Sequence, residues 1–286
     1  RVLEILQAAL VGADPYRAVR NAIELHGETL EVDGETYDLA SVDNVYVVGA
    51  GKAACPMAQA VEDVVGARLG DGVVAVKDGY VRGTASVAVG EAGHPFPDRR
   101  SIKAARAVTH IADVALEGDL VICLMSGGGS SLVELPAGQL ELEDIQEATA
   151  ALLASGVSID EINAVRKHLS AIKGGRLAEL IAPAQHVTIA VSDVVGDRLD
   201  AIASGPTVPD PTTYEEALEV LHRADLISRV PATVVEHLEK GRSGRYRETP
   251  DADAPTFERA QAVVVSSRAD AVEAASKAAV GAGYNP

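Results

Sequence analysis

Short apolar runs rich in β-branched residues recur along the chain, and most of them end in glycine and are followed by a helical pattern. Continuous apolar strands that alternate with helices predict a parallel sheet covered on both faces. We therefore predict an α/β fold with a Rossmann-like, mostly parallel sheet. The predicted strands lie at residues 45–48, 73–76, 86–89, 120–124, 187–191 and 262–265.

The same periodicity divides the chain into three predicted parts. Residues 1–27 carry apolar positions at helical spacing, so residues 1–41 are predicted to be an N-terminal helical segment packed on the main domain. Residues 42–240 are predicted to form the Rossmann-like main domain. Residues 240–260 are polar and irregular, which indicates a linker, and a strand and a helix follow. Residues 241–286 are therefore predicted to be a linker and the incomplete start of a second α/β domain.

Composition and charge exclude several classes of protein. With 47% hydrophobic and 23% charged residues, the chain is too apolar for disorder, and no apolar run approaches the ~20 residues that span a bilayer. A net charge of −17 repels nucleic acid. Cys55 and Cys123 suit a reducing compartment, and no export signal opens the chain. We predict a cytoplasmic protein with neither membrane nor nucleic-acid partners.

The acidic excess has two open explanations, which are hydration in a salt-rich cytoplasm and an ordinary acidic enzyme. In both cases an anionic ligand must be bound by local cations, backbone amides or a metal ion. Because the chain has only 7 lysines, their positions are informative.

The turn after the first sheet strand carries a lysine between small residues. Gly49, Gly51 and Ala54 match the dinucleotide fingerprint G-x-G-x-x-G/A, and Asp78 ends the next strand where a ribose-binding acid is expected. A P-loop is excluded, because no glycine stands five residues before the Gly-Lys pair. Lys52 lies at a helix N-terminus, which the helix dipole disfavours unless an anion binds there. A tight turn with a solvated lysine is the alternative.

A second glycine-rich turn follows the buried strand at residues 120–124. Its three glycines allow consecutive backbone N–H groups to point at one spot, and its serines add hydroxyl donors, so we predict an anion-binding nest. A serine-hydrolase elbow is excluded because the G-x-S-x-G pattern is broken. The turn consists of Ser126, Gly127, Gly128, Gly129, Ser130 and Ser131.

A helix predicted from residue 162, and ended by two glycines at 174–175, combines an apolar row with a basic one. Cations that share one face in a very acidic protein indicate an anion site, and a solvated basic face is the alternative. His168 lies toward the apolar row, so we predict a packed histidine rather than a base. The polar row consists of Asn163, Arg166, Ser170 and Lys173, with Lys167 beside it.

Carboxylates form the last group. Asp193 and Asp197 follow a predicted strand, where they can hold Mg²⁺ partly through water, and either could act as a general base. Turn-capping aspartates are the alternative interpretation. Glu91 and His94 add an acid and a histidine at another strand end, and a Ser-Gly-Pro-Thr segment occupies residues 204–207.

Five motifs occur in register between about residue 45 and residue 207. They are Gly-Ala-Gly-Lys-Ala at 49–53, Glu-Ala-Gly-His-Pro at 91–95, Ser-Gly-Gly-Gly-Ser-Ser at 126–131, Asn-Ala-Val-Arg-Lys-His-Leu-Ser-Ala-Ile-Lys-Gly-Gly at 163–175 and Ser-Asp-Val-Val-Gly-Asp at 192–197. Together they resemble the glycerate 2-kinase family, of the type whose C-terminal part is called the MOFRL domain. Some members of that family were formerly labelled hydroxypyruvate reductases.

The resemblance implies transfer of the ATP γ-phosphoryl group to the 2-hydroxyl of D-glycerate, with Mg²⁺, in a cleft between two α/β domains. It implies Lys52 as the active-site lysine, the 126–131 turn as the phosphate-binding loop, and Asn163, Arg166, Lys167 and Lys173 as part of the family's basic helix. The predicted catalytic residues are Lys52, Asp193 and Asp197, and the two aspartates are also the predicted metal ligands. The predicted phosphate- or nucleotide-binding residues are Gly49, Gly51 and residues 126–131. The predicted substrate- or anion-binding residues are Glu91, His94, Asn163, Arg166, Lys167 and Lys173.

Two departures from the family pattern accompany the resemblance. The chain ends where the second domain is implied, and Ser266-Ser267-Arg268 stands where an asparagine-containing turn is expected. Two other functions stay open, an NAD(P)-dependent hydroxypyruvate reductase that uses the 49–54 fingerprint and a non-catalytic sugar-phosphate-binding domain. The predicted partners are glycerate and ATP, and a homodimer is the candidate assembly.

Overall fold

The computed structural model describes residues 1–286, which form two sheets and eleven α-helices. The helices are α1 (Val2–Gly12), α2 (Pro15–Ala22), α3 (Ala54–Val65), α4 (Arg99–Val114), α5 (Gly129–Leu132), α6 (Leu142–Ser155), α7 (Ile159–His168), α8 (Arg176–Ile181), α9 (Tyr214–Arg223), α10 (Ala232–Arg242) and α11 (Arg268–Gly281). The strands are β1 (Ile23–His26), β2 (Thr29–Val32), β3 (Glu35–Asp38), β4 (Val45–Ala50), β5 (Leu69–Lys77), β6 (Ala88–Ala92), β7 (Leu120–Ser126), β8 (Gln185–Val191) and β9 (Ala260–Ser266).

The six-stranded sheet has the order β6-β5-β4-β7-β8-β9, and every neighbouring pair is parallel. Counted from its first strand this is 3-2-1-4-5-6, the doubly wound order, in which the chain reverses direction between β4 and β7. All seven residues of β7 are buried, as expected for a central strand covered on both faces. The predicted α/β fold with a parallel sheet is confirmed.

Three apolar clusters hold the helices in place. One packs α3 against one sheet face, with Met57 and Val61 buried beside Val47. The second packs α4 and α8 on the opposite face, where Val108 lies. A third cluster joins α6, α7, α9 and α10 into a helical layer of their own, with Val165 at its centre. None of the helices combines the length and the apolar character needed to cross a membrane.

The prediction that residues 1–41 are helical is wrong after Ala22. Strands β1, β2 and β3 form an antiparallel sheet there. The hairpin between β2 and β3 turns at Asp33-Gly34, where both residues have positive φ (48° and 86°). Asp-Gly is the pair that a two-residue hairpin turn of this geometry favours, so the local sequence carried the signal.

The prediction that a second domain begins within residues 241–286 is also wrong for the last strand and helix. Strand β9 pairs in parallel with β8 and completes the main sheet, where it hydrogen bonds the edge that β8 would otherwise expose. Helix α11 packs against α1 so closely that a Cβ on Gly12 would lie 2.6 Å from Cβ of Ala274.

The predicted basic helix is shorter than its periodicity suggested, because α7 ends at His168. Beyond it, the N–H of Ala171 donates to the carbonyl of Leu135 (2.7 Å), and the N–H of Ala137 donates to the carbonyl of Leu169 (2.9 Å). This segment therefore pairs with another loop instead of continuing the helix, and the spacing that placed Lys173 on the face of Arg166 no longer applies.

Candidate active site

Two glycine-rich turns interlock where the sheet reverses direction. Gly51 has φ of +142°, and a Cβ at this position would lie 2.0 Å from Oγ of Ser126. The N–H of Lys52 donates to the carbonyl of Gly127 (3.0 Å), and the N–H of Ala53 donates to Ser126 Oγ (3.1 Å). Only glycine allows this approach, so the turns after β4 and β7 form one rigid unit at the carboxyl edge of the sheet.

Charged and polar groups surround the second turn. A Cβ on Gly127 would lie 2.0 Å from Oδ2 of Asp193. A Cβ on Gly128, where φ is +89°, would lie 3.0 Å from Cδ2 of His94 and 3.3 Å from Cε of Lys52. Gly127 and Gly128 lie outside the helices and strands, and their N–H groups donate no backbone hydrogen bond. These two amides are therefore available to an anion, as a backbone nest requires.

A cleft of about 560 Å³ opens over this turn. Eight of the predicted site residues line it, and they come from four separate segments of the chain. They are His94, Gly127, Gly128, Ser130, Ser131, Asn163, Arg166 and Asp193. The cleft lies beyond the carboxyl ends of β6, β7 and β8, and doubly wound sheets bind ligands at this edge.

The hydroxyls of the second turn are used within the chain. Buried Ser131 donates its hydroxyl hydrogen to the carbonyl of Gly128 (3.1 Å), and buried Ser126 accepts from Ala53. The predicted nest of hydroxyl donors is thus corrected: in this structure the turn offers an anion its backbone amides, while two of its three serines brace the turn.

Ser130 belongs to a short chain of hydrogen bonds with a fixed direction. Ser204 Oγ donates to Oδ1 of Asn163 (3.0 Å), and the oxygens of Ser130 and Ser204 are 2.6 Å apart. Because the single hydroxyl hydrogen of Ser204 goes to Asn163, Ser130 must donate to Ser204. The lone pairs of Ser130 Oγ are left to accept a hydrogen bond from a ligand in the cleft.

Ser204 is a residue that the site prediction missed, although its segment had been noted. It has φ of 62° and follows Ala203 with φ of 53°, so two consecutive residues other than glycine adopt the left-handed conformation. Such residues cost of order 1–3 kcal/mol each and concentrate at functional sites. A positive φ at a serine leaves no mark in the sequence, which is why the pattern did not reveal it.

Two arginines line the cleft; Arg198 pairs with Asp160 and Asp200, whereas Arg166 forms no ion pair. Its Nη2 donates to the carbonyl of Ser130 (3.1 Å), which holds the guanidinium beside that residue's hydroxyl. Its Nε is buried without a hydrogen-bond partner. Burial lowers the pKa of Arg166, and the charge of Glu134 opposes this shift, but an arginine remains protonated at neutral pH. An anionic ligand here would contact a cation whose hydrogen-bond donors are not all used.

His94 is held neutral by its surroundings. Partial burial lowers its pKa below the usual 6.5, and the positive charges of Lys52, Lys77 and Arg166 lower it further, against a smaller opposite effect of Asp193. The imidazole is therefore uncharged at pH 7 and has a nitrogen that can accept a proton.

Two of the predicted anion-binding lysines are placed in the interior. Lys167 is 2% exposed and pairs with Asp210 (3.0 Å) and Asp200 (3.4 Å). Lys173 is 1% exposed and pairs with Glu134 at 2.5 Å. Because carboxylates satisfy both ammonium groups and neither residue lines the cleft, the structure does not support their predicted contact with substrate.

Other predicted residues lie at the margin or elsewhere. Glu91 accepts from the N–H of Gly79 (2.8 Å), and Asp197 occupies a turn with φ of 52°; neither lines the cleft. His168 is fully buried between the carbonyl of Ala164 and Glu248, which confirms that it is a packed histidine.

Fold and cleft together define a doubly wound α/β domain with a glycine-rich turn at the point where the strand order reverses. Residues 1–239 match the family model described as "Domain of unknown function (DUF4147)". A glycerate 2-kinase of Pyrococcus horikoshii is 46% identical over 253 residues, which cover 88% of this chain and 56% of that protein. A D-glycerate 2-kinase of Thermotoga maritima is 46% identical over 222 residues, which cover 77% of this chain and 50% of that protein.

Two crystal structures show the same fold. A protein of Pyrococcus horikoshii OT3 superposes with a TM-score of 0.87 at 42% identity, covering 99% of this chain and 63% of the other. Glycerate kinase of Thermotoga maritima superposes with a TM-score of 0.80 at 38% identity, covering 99% of this chain and 62% of the other. This chain belongs to the glycerate kinase family through its DUF4147 domain. It spans 50–56% of the length of the two curated relatives.

Proposed function

We propose that this protein acts as an ATP-dependent glycerate 2-kinase. The observation that carries the proposal is the pair of free amides at Gly127 and Gly128, placed between Lys52 and His94 in a cleft that Arg166 also lines. In the reaction, the bond between the γ-phosphorus and the bridging oxygen of ATP breaks. A bond from the 2-oxygen of D-glycerate to phosphorus forms, ADP leaves, and the hydroxyl proton is released. Such transfer depends on positioning and charge neutralisation.

The residues of the cleft divide between the two substrates. Lys52 and the amides of Gly127 and Gly128 stabilise the transferring phosphoryl group. Arg166 binds the carboxylate of the hydroxy acid, and Ser130 Oγ, whose own hydrogen is given to Ser204, accepts a hydrogen bond from the 3-hydroxyl of glycerate, which leaves the proton of the 2-hydroxyl to His94. This arrangement suits a small molecule that carries a hydroxyl next to a carboxylate.

Mg²⁺ fits this site as a companion of the nucleotide rather than as a resident ion. No three histidine, cysteine, aspartate or glutamate side chains form a cluster that could hold a metal. Mg²⁺ is commonly bound through one or two carboxylates together with substrate phosphates, and Asp193 is the one exposed carboxylate that touches the Gly127 turn. When bound, the ion would neutralise phosphate charge there. We therefore retain Asp193 as its ligand and set Asp197 aside.

Asp193→Asn is expected to raise the Mg²⁺ concentration needed for half-maximal activity by about 10-fold, since the amide keeps the shape but removes the charge. Asp197→Asn, its matched control four residues away, should leave the Mg²⁺ dependence unchanged. Titration of activity with Mg²⁺ at fixed ATP measures both. Equal curves for wild type and Asp193→Asn would make Asp193 a turn residue and remove it from the metal site.

His94 is expected to give the pH profile of kcat/KM an acidic limb. The neutral imidazole can accept the hydroxyl proton, and its pKa lies below 6.5, so activity should be full at pH 7 and fall only at lower pH as His94 becomes protonated. His94→Gln should lower kcat and abolish this limb. Profiles recorded between about pH 5 and pH 8 decide the matter, and an unchanged limb in the variant would assign it to another group.

Coupled detection of ADP release with D-glycerate and MgATP tests the proposed activity. The assay is run on the 286-residue chain and on the full product of its gene. NADH oxidation with hydroxypyruvate would indicate the reductase instead. A dehydrogenase would use Asp78 to bind the ribose of its cofactor, but Asp78 pairs with Arg100 (2.5 Å). Tight binding of glycerate phosphate without turnover would indicate a sensor.

The predicted cytoplasmic location and homodimer are retained as parts of this proposal, and sedimentation tests the homodimer.

A further inference from the structure

A second cleft of about 390 Å³ lies at the carboxyl ends of β4 and β5, and Lys52 is the one residue of its lining that the proposed mechanism uses. Lys52, Pro15, Tyr80, Val81 and Arg82 are among the residues that line it. Lys52 borders both clefts, because its Cε lies 3.3 Å from the position of a Cβ on Gly128 in the first. A ligand could therefore extend from one cleft past Lys52 into the other.

The charges at this cleft oppose those of the protein as a whole. Lys52, Lys77 and Arg82 form no ion pair, although the chain carries 42 acidic residues against 25 basic ones. No carboxylate lines the cleft. The acids of the neighbouring loops are already engaged: Asp78 pairs with Arg100, and Glu91 accepts from the N–H of Gly79. Unpaired cations in an acidic protein create a local positive potential, which attracts an anion.

The same cleft offers an apolar, aromatic surface. Tyr80 is 44% exposed and Val81 48% exposed, and Nζ of Lys77 lies 5.7 Å from the centroid of the Tyr80 ring. The chain has only nine tyrosines and phenylalanines, so an exposed ring beside three cations is a distinctive combination. An exposed ring favours stacking with a planar base, and the cations favour a polyphosphate.

The position agrees with this chemistry. In doubly wound sheets, a mononucleotide lies across the carboxyl ends of the first strands, with its phosphates at the glycine-rich turn. Here those strands are β4 and β5, and the residues of the second cleft follow both of them: Lys52 lies after β4, and Tyr80 and Arg82 after β5.

We propose that the second cleft binds the base and the leaving diphosphate of the nucleotide, an inference that rests on the proposed kinase function. The γ-phosphate lies at Gly127 and Gly128, the remaining phosphates pass Lys52 toward Arg82, and the base stacks on Tyr80. The first cleft then holds the γ-phosphate and the hydroxy acid. Nucleotide and acceptor thus enter from opposite sides of Lys52.

Calorimetric titration of the 286-residue chain with MgATP, MgADP and inorganic triphosphate separates base binding from phosphate binding. Tyr80→Ala is expected to raise Kd for ATP and ADP by about 10-fold and to leave Kd for triphosphate unchanged, because triphosphate has no base to stack. Arg82→Ala should raise Kd for ATP, ADP and triphosphate alike. The matched controls are Tyr284→Ala, which removes another exposed tyrosine, and Arg106→Ala, which removes an exposed, unpaired arginine of α4.

Each outcome bears on a different statement. If Tyr80→Ala weakens ATP and triphosphate equally, or changes neither, the base does not lie on Tyr80 and the inference is overturned. If wild type binds triphosphate as tightly as ATP, the base has no site and the inference fails while an anion site remains. If wild type binds neither ATP nor triphosphate but binds glycerate, the nucleotide part of the proposed function fails as well. Melting temperatures close to that of wild type exclude misfolding of the variants.

Discussion

Lys173→Met is expected to lower the free energy of unfolding by about 3–5 kcal/mol, the cost of leaving a buried charge without its partner. Lys173 and Glu134 are each 1% exposed, and their ion pair measures 2.5 Å. Lys173 Nζ also donates to the carbonyl of Val133 (3.3 Å) and to Ser170 Oγ (3.5 Å), so its three hydrogens are all used. Burial lowers the pKa of Lys173 to about 8, as removal from water requires.

The double variant Glu134→Leu/Lys173→Met should recover much of this loss, since an apolar pair of similar volume often replaces a buried ion pair at little cost. Recovery is incomplete because Glu134 also accepts from the N–H of Leu135 (3.1 Å). Lys277→Met, at an exposed pair with Glu273, serves as the control and should change stability by less than about 0.5 kcal/mol. Urea unfolding measures all three. If Lys173→Met were as stable as wild type but bound anions more weakly, Lys173 would instead be assigned to the anion-binding cleft.

The role of Lys173 could not be predicted because helical spacing describes a face only while the helix continues. Helix α7 ends at His168, and the segment after it turns inward. The partners of the two lysines are also distant in sequence: Glu134 precedes Lys173 by 39 residues, and Asp210 follows Lys167 by 43. A pattern of cations along one segment carries no information about acids that fold onto it from elsewhere.

The glycine-rich turns could be predicted because their requirement is local. Gly51 and Gly127 each lie where a side chain would collide with a neighbouring atom, and each follows a strand of the main sheet directly. Strand order brought these turns together at one edge of the sheet, as the rule for parallel sheets anticipates. The chemistry of Ser130 was beyond the same reasoning, because the direction of its hydrogen bond depends on Ser204, seventy-four residues away.

The sheet itself was predicted strand by strand, but the place of its last strand was not. The run at residues 262–265 identified a strand correctly, and β9 is found there. Periodicity describes which faces of a strand are covered and not which sheet the strand joins, so the preceding polar segment was interpreted as a boundary between domains. The topology shows that residues 240–259 are an excursion from the main domain that returns to it.

Lys52→Ala is expected to lower kcat/KM for glycerate phosphorylation by about 100-fold or more, the scale of losing one preorganised charge from the transition state. Lys52 is half-buried, forms no ion pair, and lies between the free amide of Gly128 and the second cleft. It is therefore the one cation placed to contact a phosphoryl group as it passes from nucleotide to acceptor. ADP release at varied glycerate and ATP measures the effect.

Stability should hardly change in the same variant, because a lysine without a partner contributes little to folding. Lys103→Ala removes an exposed, unpaired lysine of α4 and should alter neither turnover nor melting temperature. The two variants change the net charge equally, so a general electrostatic effect on anionic substrates would lower both activities alike. A loss confined to Lys52→Ala, with kcat reduced more than the affinity for either substrate, assigns this charge to the transition state. If Lys52→Ala turned over as fast as wild type, Arg166 would be left as the cation for phosphoryl transfer, and the division of the two clefts at Lys52 would have to be abandoned.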